Sequence, residues 1–391
     1  MSTHKPTYTS TCVAGSPPSP APLPLETAAQ RTWRRLRLPV TLVAAVAVSF
    51  ALSACAGRSA YFAPPADAAT AELNAANRAA SLAAALPMPG AASYDTRYFS
   101  WEDSARHRTV AAKLYLPLQT LSTSRENAAT APLVVFSHGL GGSREGYSYL
   151  GKYWASKGYA SLHLQHVGSD RSIWGGNPVA VLMRLQAAAQ DSEAIARVHD
   201  FSFALDQLLA SDVAGRIDAQ RVVAAGHSYG ANTVLLAAGA QVSRNVNGAM
   251  QTMDYRDPRI QAAVIISAPP FYGEADIRSI LSPIHIPTLH ITSTGDEITV
   301  PGYHSLPQDR LAVFEATGGR FKTLAVFKDG SHSMFTDRLN TGGEVLNPKV
   351  KAATRELSIA FFQRVFDKTT QPLALWAIAN APLVARFDER Q

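Results

Sequence analysis

The pentapeptide at 226–230, Gly-His-Ser-Tyr-Gly, constrains the fold more than any other part of the chain, because it places a serine between two glycines where two regular elements meet. The apolar, β-branched run before it predicts the end of a buried strand, and the apolar run at 233–238 predicts a buried helix. A strand-to-helix turn this tight needs small residues beside the serine, and it raises the hydroxyl to the edge of the sheet. We therefore interpret Ser228 as a nucleophile; the alternative is an ordinary Gly/Ser turn.

The first 55 residues have the features of an export leader. A basic stretch at 31–37 precedes the apolar run 40–52, which is too short for an ordinary membrane-spanning helix but has the length of a signal-peptide core. The run ends in Leu-Ser-Ala-Cys, which resembles the lipobox of bacterial lipoproteins. We therefore predict a lipid anchor on Cys55 and an exported protein held at the bacterial cell envelope, facing the periplasm or the surface. A plain signal peptide or membrane anchor is the alternative.

The positive charge of the chain lies largely in this leader. The whole chain has 36 Lys and Arg against 30 Asp and Glu, a formal net charge of +6. Residues 1–55 hold five basic residues and one acidic residue, which leaves 31 basic and 29 acidic residues for 56–391. No basic stripe with interleaved aromatic residues remains in 56–391, so we expect no nucleic-acid partner. Both cysteines, Cys12 and Cys55, also lie in the leader, so the rest of the chain offers neither a disulfide nor a thiolate metal site.

The remainder divides into a tether, one domain and a short extension. Residues 56–93, rich in Ala and Pro, predict the tether, residues 94–370 the catalytic domain, and residues 371–391 a C-terminal extension. Strand-like and helix-like patterns alternate within the domain after two consecutive strands. The predicted strands cover 94–100, 110–116, 132–137, 160–164, 221–225, 262–267, 287–292 and 323–327. The predicted helices cover 146–157, 186–210, 229–240, 305–316 and 349–366.

This order predicts an α/β fold: a mostly parallel eight-stranded sheet with helices on both faces and an antiparallel hairpin at its edge. Segments 166–186 and 241–259 are longer than the usual connections of such a sheet. We expect both to be insertions above the catalytic edge, where loops carry specificity.

A serine hydroxyl needs a base to remove its proton, and the base needs a third group to orient it. In folds with this serine turn the partners follow in the chain order Ser, acid, His, each after a later strand. Asp296 follows the seventh predicted strand, and His332 follows the eighth. We therefore predict Ser228, Asp296 and His332 as the catalytic residues, with Glu297 as the alternative acid.

Acyl transfer also needs N–H donors aimed at the oxyanion. We expect one donor to be the backbone N–H of Tyr229, directly after the nucleophile. The other comes from the loop after the third predicted strand, His-Gly-Leu-Gly-Gly at 138–142, where we assign the N–H of Leu140, with Gly141 as the alternative. This loop lacks the Lys-Ser/Thr of a P-loop and does not match the dinucleotide pattern G-x-G-x-x-G, so a nucleotide site is not expected.

Aromatic residues near these motifs are candidates for the substrate pocket. We choose Trp174 and Tyr229 as the best of them. Further candidates are aromatic too: Trp154, Phe271 and Tyr272. Arg197 and Asp200 lie one helical turn apart, which predicts a structural ion pair.

Several of these motifs together resemble a known family. The stretches 136–144, 158–159 and 226–231 resemble α/β-hydrolases of the platelet-activating-factor acetylhydrolase, chlorophyllase and predicted dienelactone hydrolase group. Residues 166–171 resemble the histidine-containing loop after the fourth strand of that group. The resemblance covers roughly 94–366.

The resemblance implies the α/β-hydrolase fold and ester hydrolysis without a metal or another cofactor. It assigns the triad to Ser228, Asp296 and His332 and the oxyanion hole to Leu140 and Tyr229. We therefore expect a lipid-anchored serine esterase, lipase-like or acetylhydrolase-like, acting on small-molecule or lipid esters through an acyl-enzyme. Two alternatives stay open: amide hydrolysis or another acyl transfer, and a non-catalytic envelope lipoprotein that retains the fold.

Overall fold

Short runs of apolar and β-branched residues build the central sheet, and the segments between them supply helices. The computed structural model describes residues 94–118, 130–246, 249–274, 276–300, 303–339 and 341–391. The predicted leader, the tether and the lipidation site Cys55 lie outside these residues. All described residues belong to one compact unit of the chain. Within them, we find no helix with the length and hydropathy needed to cross a bilayer.

The described strands are β1 (Tyr94–Asp103), β2 (Arg108–Pro117), β3 (Ala131–Ser137), β4 (Ala160–His166), β5 (Ile217–His227), β6 (Gln241–Val246), β7 (Ala249–Asp254), β8 (Ile260–Ile266), β9 (Thr288–Gly295), β10 (Ile298–Val300), β11 (Tyr303–Ser305), β12 (Lys322–Ser331) and β13 (Val384–Arg390). The described α-helices are α1 (Ser148–Ser156), α2 (Pro178–Ala188), α3 (Asp191–Leu209), α4 (Tyr229–Ala237), α5 (Ile277–Leu281), α6 (Pro307–Ala316), α7 (Leu346–Phe366) and α8 (Gln371–Asn380).

Nine of these strands form one sheet in the order β1-β2-β4-β3-β5-β8-β9-β12-β13. The six strands from β4 to β12 run parallel to one another, and antiparallel pairs close both edges. The predicted mostly parallel sheet with an edge hairpin is therefore confirmed. The strand count of eight is wrong: β13 is a ninth strand, paired antiparallel to β12. Residues 371–391, set apart above as an extension, form α8 and this edge strand.

Helices cover both faces of the sheet, as predicted. Successive residues of β5 alternate between the faces, so that Val222 and Ala224 join one buried cluster while Val223 and Ala225 join the other. Helices α3 and α4 pack on the first cluster, and α1, α7 and α8 pack on the second. The carboxyl ends of the parallel strands therefore lie together at one edge of the sheet, between the two buried clusters.

The two long segments contain regular structure. The first holds a short 3₁₀ helix (Arg171–Trp174) and α2, and the second holds the β6–β7 hairpin. The helix predicted over 186–210 is the end of α2 followed by α3, because the backbone at Gln190 is extended and interrupts the hydrogen bonding.

Buried histidines are frequent in this core. Burial holds their pKa values below the ordinary value of histidine, because a charged imidazolium is poorly solvated there. The pKa falls to about 4 for His166, to about 3 for His163, His227 and His290, and well below the ordinary range for His138. Unfolding exposes these rings to water, so below pH 6.5 the unfolded chain binds more protons than the folded one. The free energy of unfolding must therefore fall as the pH falls through this window.

We expect His290→Gln to reduce this pH dependence, whereas His304→Gln leaves it unchanged. His290 is buried on β9 against Phe314, while the side chain of His304 is 56% exposed. Each buried neutral histidine contributes about 1.4 kcal/mol per pH unit between the two pKa values. Urea denaturation at intervals between pH 7.5 and 4.5 measures the slope. Equal slopes in the two variants would contradict this explanation.

Candidate active site

The serine turn lies at the carboxyl end of β5. Ser228 joins β5 to α4 with φ 56° and ψ −124°, a left-handed backbone conformation that is strained for a residue with a side chain. Its N–H donates to the carbonyl of Ile266 at 2.9 Å, which fixes the turn to the neighbouring strand. The sequence predicted this strand, turn and helix.

Both glycines of the turn are required by close contacts. A Cβ on Gly230 would lie 1.9 Å from the carbonyl oxygen of Ser137, and one on Gly226 would lie 2.3 Å from the carbonyl oxygen of Gly230. The turn is therefore packed backbone to backbone against the end of β3. This contact brings Ser228 next to the loop that follows β3.

The predicted acid and base meet the serine in the structure. His332, directly after β12, has its Nε2 2.9 Å from Oγ of Ser228 and its Nδ1 2.8 Å from Oδ1 of Asp296. Because the carboxylate can only accept, Nδ1 carries the proton, and Nε2 is left to accept from the serine hydroxyl. The three side chains thus form a continuous relay from the carboxylate to the hydroxyl.

The Asp296 carboxylate is fully buried and well supplied with donors. Oδ2 accepts from the hydroxyls of Ser267 and Thr292, and the Arg310 guanidinium lies 3.5 Å from Oδ1. Burial raises the pKa of Asp296, but the charge and hydrogen bond of His332 outweigh it. Together with Arg310 and the Ser267 hydroxyl, they hold the pKa below its ordinary range. Asp296 is therefore ionised at neutral pH.

The structure distinguishes Asp296 from Glu297, the alternative acid, by their surroundings. The side chain of Glu297 is 55% exposed and lies near His304 instead. The sequence did not identify Ser267, Thr292 or Arg310 as supports of the acid, because they come from three separate parts of the chain.

The loop after β3 has its backbone donors arranged in a specific way. Gly139 N–H donates to the Tyr147 hydroxyl, Gly141 N–H to the carbonyl of Ser169, and Gly142 N–H to the carbonyl of Gly139. The Gly141 N–H is therefore occupied, which argues against the alternative assignment of the donor.

The two predicted donors, in contrast, are free. Within the part of the chain that the structure describes, the backbone N–H groups of Leu140 and Tyr229 make no hydrogen bond. Tyr229 is the first residue of α4, where N–H groups have no partner within the helix. Both groups are available to a bound oxyanion.

His227, a residue without a predicted role, links the three loops that carry the candidate site. Its Nε2 donates to the carbonyl of His332 at 3.0 Å, so its Nδ1 accepts from the Tyr147 hydroxyl at 2.8 Å. The same hydroxyl receives the Gly139 N–H, so one chain of hydrogen bonds joins the β3 loop, the serine turn and the base. The His residue within the pentapeptide was the only local signal for this link.

Trp174 lies beside the predicted oxyanion loop. Its indole N–H donates to the carbonyl of Gly141 at 3.1 Å, and a Cβ on Gly141 would collide with the ring. The side chain is half exposed, as expected for a residue at the mouth of a site. Trp154, in contrast, is fully buried and donates to Ser358, which makes it part of the core.

The ion pair predicted between Arg197 and Asp200 is wrong. Asp200 pairs instead with Arg106, Arg108 and the imidazole of His166. The Arg197 guanidinium points the other way, towards the loop after β3.

No three His, Cys, Asp or Glu side chains of the described ranges are grouped so as to hold a metal ion.

The chain is similar to known proteins in part of its sequence and in its fold. Residues 96–175 match the family model of platelet-activating factor acetylhydrolase, isoform II. A ferulic acid esterase from Streptomyces cinnamoneus is similar in structure, with a TM-score of 0.51 and 21% identity over 73% of this chain and 94% of that chain. A puromycin hydrolase mutant aligns with a TM-score of 0.49 and 13% identity over 72% of this chain and 41% of that chain. No curated protein sequence matches the chain.

The sheet order and the esterase structure show the α/β-hydrolase fold. The family match over residues 96–175 supports a serine ester hydrolase of this fold. The matched residues include the loop after β3 and Trp174 and end before Ser228.

We expect Gly230→Ala to disrupt the serine turn, whereas Gly215→Ala is tolerated. The new methyl group at 230 must displace the Ser137 carbonyl, and such overpacking costs about 1–3 kcal/mol. A Cβ on Gly215 meets no atom within 4 Å. Urea denaturation measures the stability, and the rate of labelling by a fluorophosphonate measures the reactivity of the serine. A Gly230→Ala protein with unchanged stability and labelling would contradict the contact.

Proposed function

We propose that the protein hydrolyses carboxylic esters through an acyl-enzyme formed on Ser228, with His332 as base and Asp296 as its orienting acid. The observation that carries this proposal is the pair of hydrogen bonds that joins the serine hydroxyl to the buried carboxylate through one imidazole. Ionised Asp296 fixes the tautomer of His332 and stabilises the imidazolium that forms during reaction.

In the first half of the reaction, Oγ of Ser228 attacks the ester carbonyl carbon while its proton passes to Nε2 of His332. The carbonyl oxygen becomes an oxyanion, which the N–H groups of Leu140 and Tyr229 receive. The tetrahedral intermediate then collapses: the bond to the alcohol oxygen breaks, and the alcohol leaves with the proton from His332. Preorganised donors of this kind each lower the barrier by about 3 kcal/mol.

In the second half, a water molecule takes the place of the alcohol. His332 removes its proton, the hydroxide attacks the acyl carbonyl, and the same two N–H groups receive the charge. Collapse releases the carboxylic acid and returns the proton to Ser228. Trp174, against the Gly141 carbonyl, borders the position where the substrate carbonyl binds, so we assign it to the wall of the pocket.

We expect Ser228→Ala to abolish hydrolysis of p-nitrophenyl esters by the full chain, while Ser104→Ala retains it. Ser104 is an exposed residue of the turn between β1 and β2. Loss of a catalytic serine typically lowers kcat by about 10⁶-fold. A series of esters from acetyl to palmitoyl gives the length of the acyl group accepted. Equal activity of the two variants would exclude Ser228 as the nucleophile.

A competing alcohol distinguishes hydrolysis from transfer. If water is the acceptor, adding methanol yields mainly free acid. A predominance of methyl ester would favour an acyltransferase, and cleavage of anilides in place of esters would favour an amidase. A folded protein that fails to react with a fluorophosphonate would favour the non-catalytic alternative.

We propose further that Cys55 carries a lipid anchor, so that the hydrolase acts at the bacterial cell envelope on small-molecule or lipid esters. The support is the sequence alone: a basic stretch, an apolar run and the Leu-Ser-Ala-Cys motif.

We expect Cys55→Ser to lose incorporation of labelled palmitate during expression in a bacterial host and to leave the membrane fraction. Cys12→Ser, in the same leader, is the matched control and retains both. Incorporation of palmitate into the Cys55→Ser protein would contradict the assignment.

A further inference from the structure

A buried arginine lies directly behind the site that we assign to the oxyanion. Arg197, on α3, has no exposed surface. Its guanidinium donates to the hydroxyls of Thr233, Ser169 and Ser137 at 2.9, 2.8 and 3.0 Å. It also donates to the carbonyl of His138, the first residue of the 138–142 loop.

The same guanidinium contacts the other half of the oxyanion site. Its central carbon lies 4.4 Å from the centre of the Tyr229 ring, within the range of a cation–π contact. The hydroxyl of Thr233 in turn donates to the carbonyl of Tyr229 at 3.2 Å. Arg197 therefore bonds the 138–142 loop directly, and it contacts Tyr229 through the ring and through Thr233. These two segments supply the free N–H groups.

The acceptors around Arg197 are neutral, which is unusual for a buried cation. Its hydrogen-bond partners are three hydroxyls and one carbonyl, and the nearby carboxylates are reached only through them. Ser169 donates to Glu193 at 2.6 Å. Ser137 bonds His166, whose Nδ1 donates to Asp200. The positive charge is therefore not neutralised by a direct ion pair within the described residues.

The hydrogen-bond directions in this network are fixed. Asp200 is ionised and can only accept, so Nδ1 of His166 carries the proton and its Nε2 accepts from the Ser137 hydroxyl. The Ser137 oxygen is then left to accept from Arg197. One chain of hydrogen bonds therefore runs from the guanidinium through Ser137 and His166 to the Asp200 carboxylate.

We propose that Arg197 is a positioning residue of the oxyanion hole, which holds the 138–142 loop and Tyr229 so that the N–H groups of Leu140 and Tyr229 converge. The proposal rests on the proposed function, because it assumes that these groups receive the oxyanion. Arg197 does not touch the substrate; it acts through the two backbone segments. Its positive charge also faces the side on which negative charge develops.

The test compares Arg197→Met and Arg197→Lys with wild type and with Arg355→Met. Arg355 stacks on Tyr153 at 4.6 Å on the opposite face of the sheet, so it is a matched cation–π control. For Arg197→Met we expect kcat per titrated serine to fall on the order of 100-fold, with KM changed by no more than about threefold. Arg197→Lys keeps the charge without the planar fork and should lie between Arg197→Met and wild type.

A transition-state mimic separates this role from a merely structural one. A trifluoromethyl ketone forms a tetrahedral adduct with the serine, so its inhibition constant should rise with the loss of kcat, on the order of 100-fold in Arg197→Met. A structural defect would lower the number of titratable serines and leave the constants of each intact site unchanged. That outcome, or an equal loss in Arg355→Met, would overturn the proposal.

Two further measurements keep the proposal testable in all cases. If Arg197→Met does not fold, Thr233→Val removes one acceptor of the guanidinium with little change of shape, and we expect kcat to fall about tenfold at unchanged KM. An unchanged kcat in this variant would overturn the proposal. If wild type cleaves no ester, the proposed function fails, and the rate of fluorophosphonate labelling of Ser228 still measures the hole. Equal labelling rates in wild type and Arg197→Lys would then overturn the role of Arg197.

Discussion

The candidate active site depends on the backbone contact between the serine turn and the end of β3. Strands β3 and β5 are parallel neighbours, and their register pairs Ser137 with Gly226. Both strands therefore end at the same height along the edge of the sheet. Gly230 allows the first turn of α4 to touch the Ser137 carbonyl. Since the loop after β3 begins at this point, one contact places the Ser228 hydroxyl, the Leu140 N–H and the N-terminus of α4 together. A side chain at 230 would separate them.

Two buried cations then shape the electrostatic field around this contact. Arg310 lies behind the Asp296 carboxylate and favours its ionised form, which the relay to His332 requires. Arg197 lies behind the loop and Tyr229, on the side where the negative charge of the reaction would appear. Burying a charge is costly, and neutral hydroxyls and carbonyls offset part of that cost. Both arginines therefore act on buried groups: Arg310 on the Asp296 carboxylate, and Arg197 on the loop after β3 and on Tyr229.

The features that the sequence predicted have signals within a few neighbouring residues. The core strands are apolar runs, the serine turn needs its two glycines, and Asp296 and His332 each lie in the loop after a predicted strand. Strand β13 was missed because four of its seven residues are charged, as suits an edge strand whose side chains reach Glu315. The direction of Arg197 could not be predicted either. Helical spacing favours an ion pair of Arg197 with Asp200. The acceptors that the Arg197 guanidinium reaches instead come from β3, α4 and the loop after β4.

The structure contains two Ser–His–Asp arrangements with similar hydrogen bonds, and their surroundings distinguish them. In one, Ser137, His166 and Asp200 are fully buried, and both burial and the Arg197 charge lower the pKa of His166 to about 4. That imidazole stays neutral at physiological pH, and its serine oxygen is occupied by the guanidinium. In the other, Ser228 stands on a strained turn and is partly exposed, and the His332 side chain is 17% exposed. The two arrangements therefore differ in exposure and in neighbouring charge, although their hydrogen-bond geometry is similar, and these differences favour Ser228 over Ser137 as the proposed nucleophile.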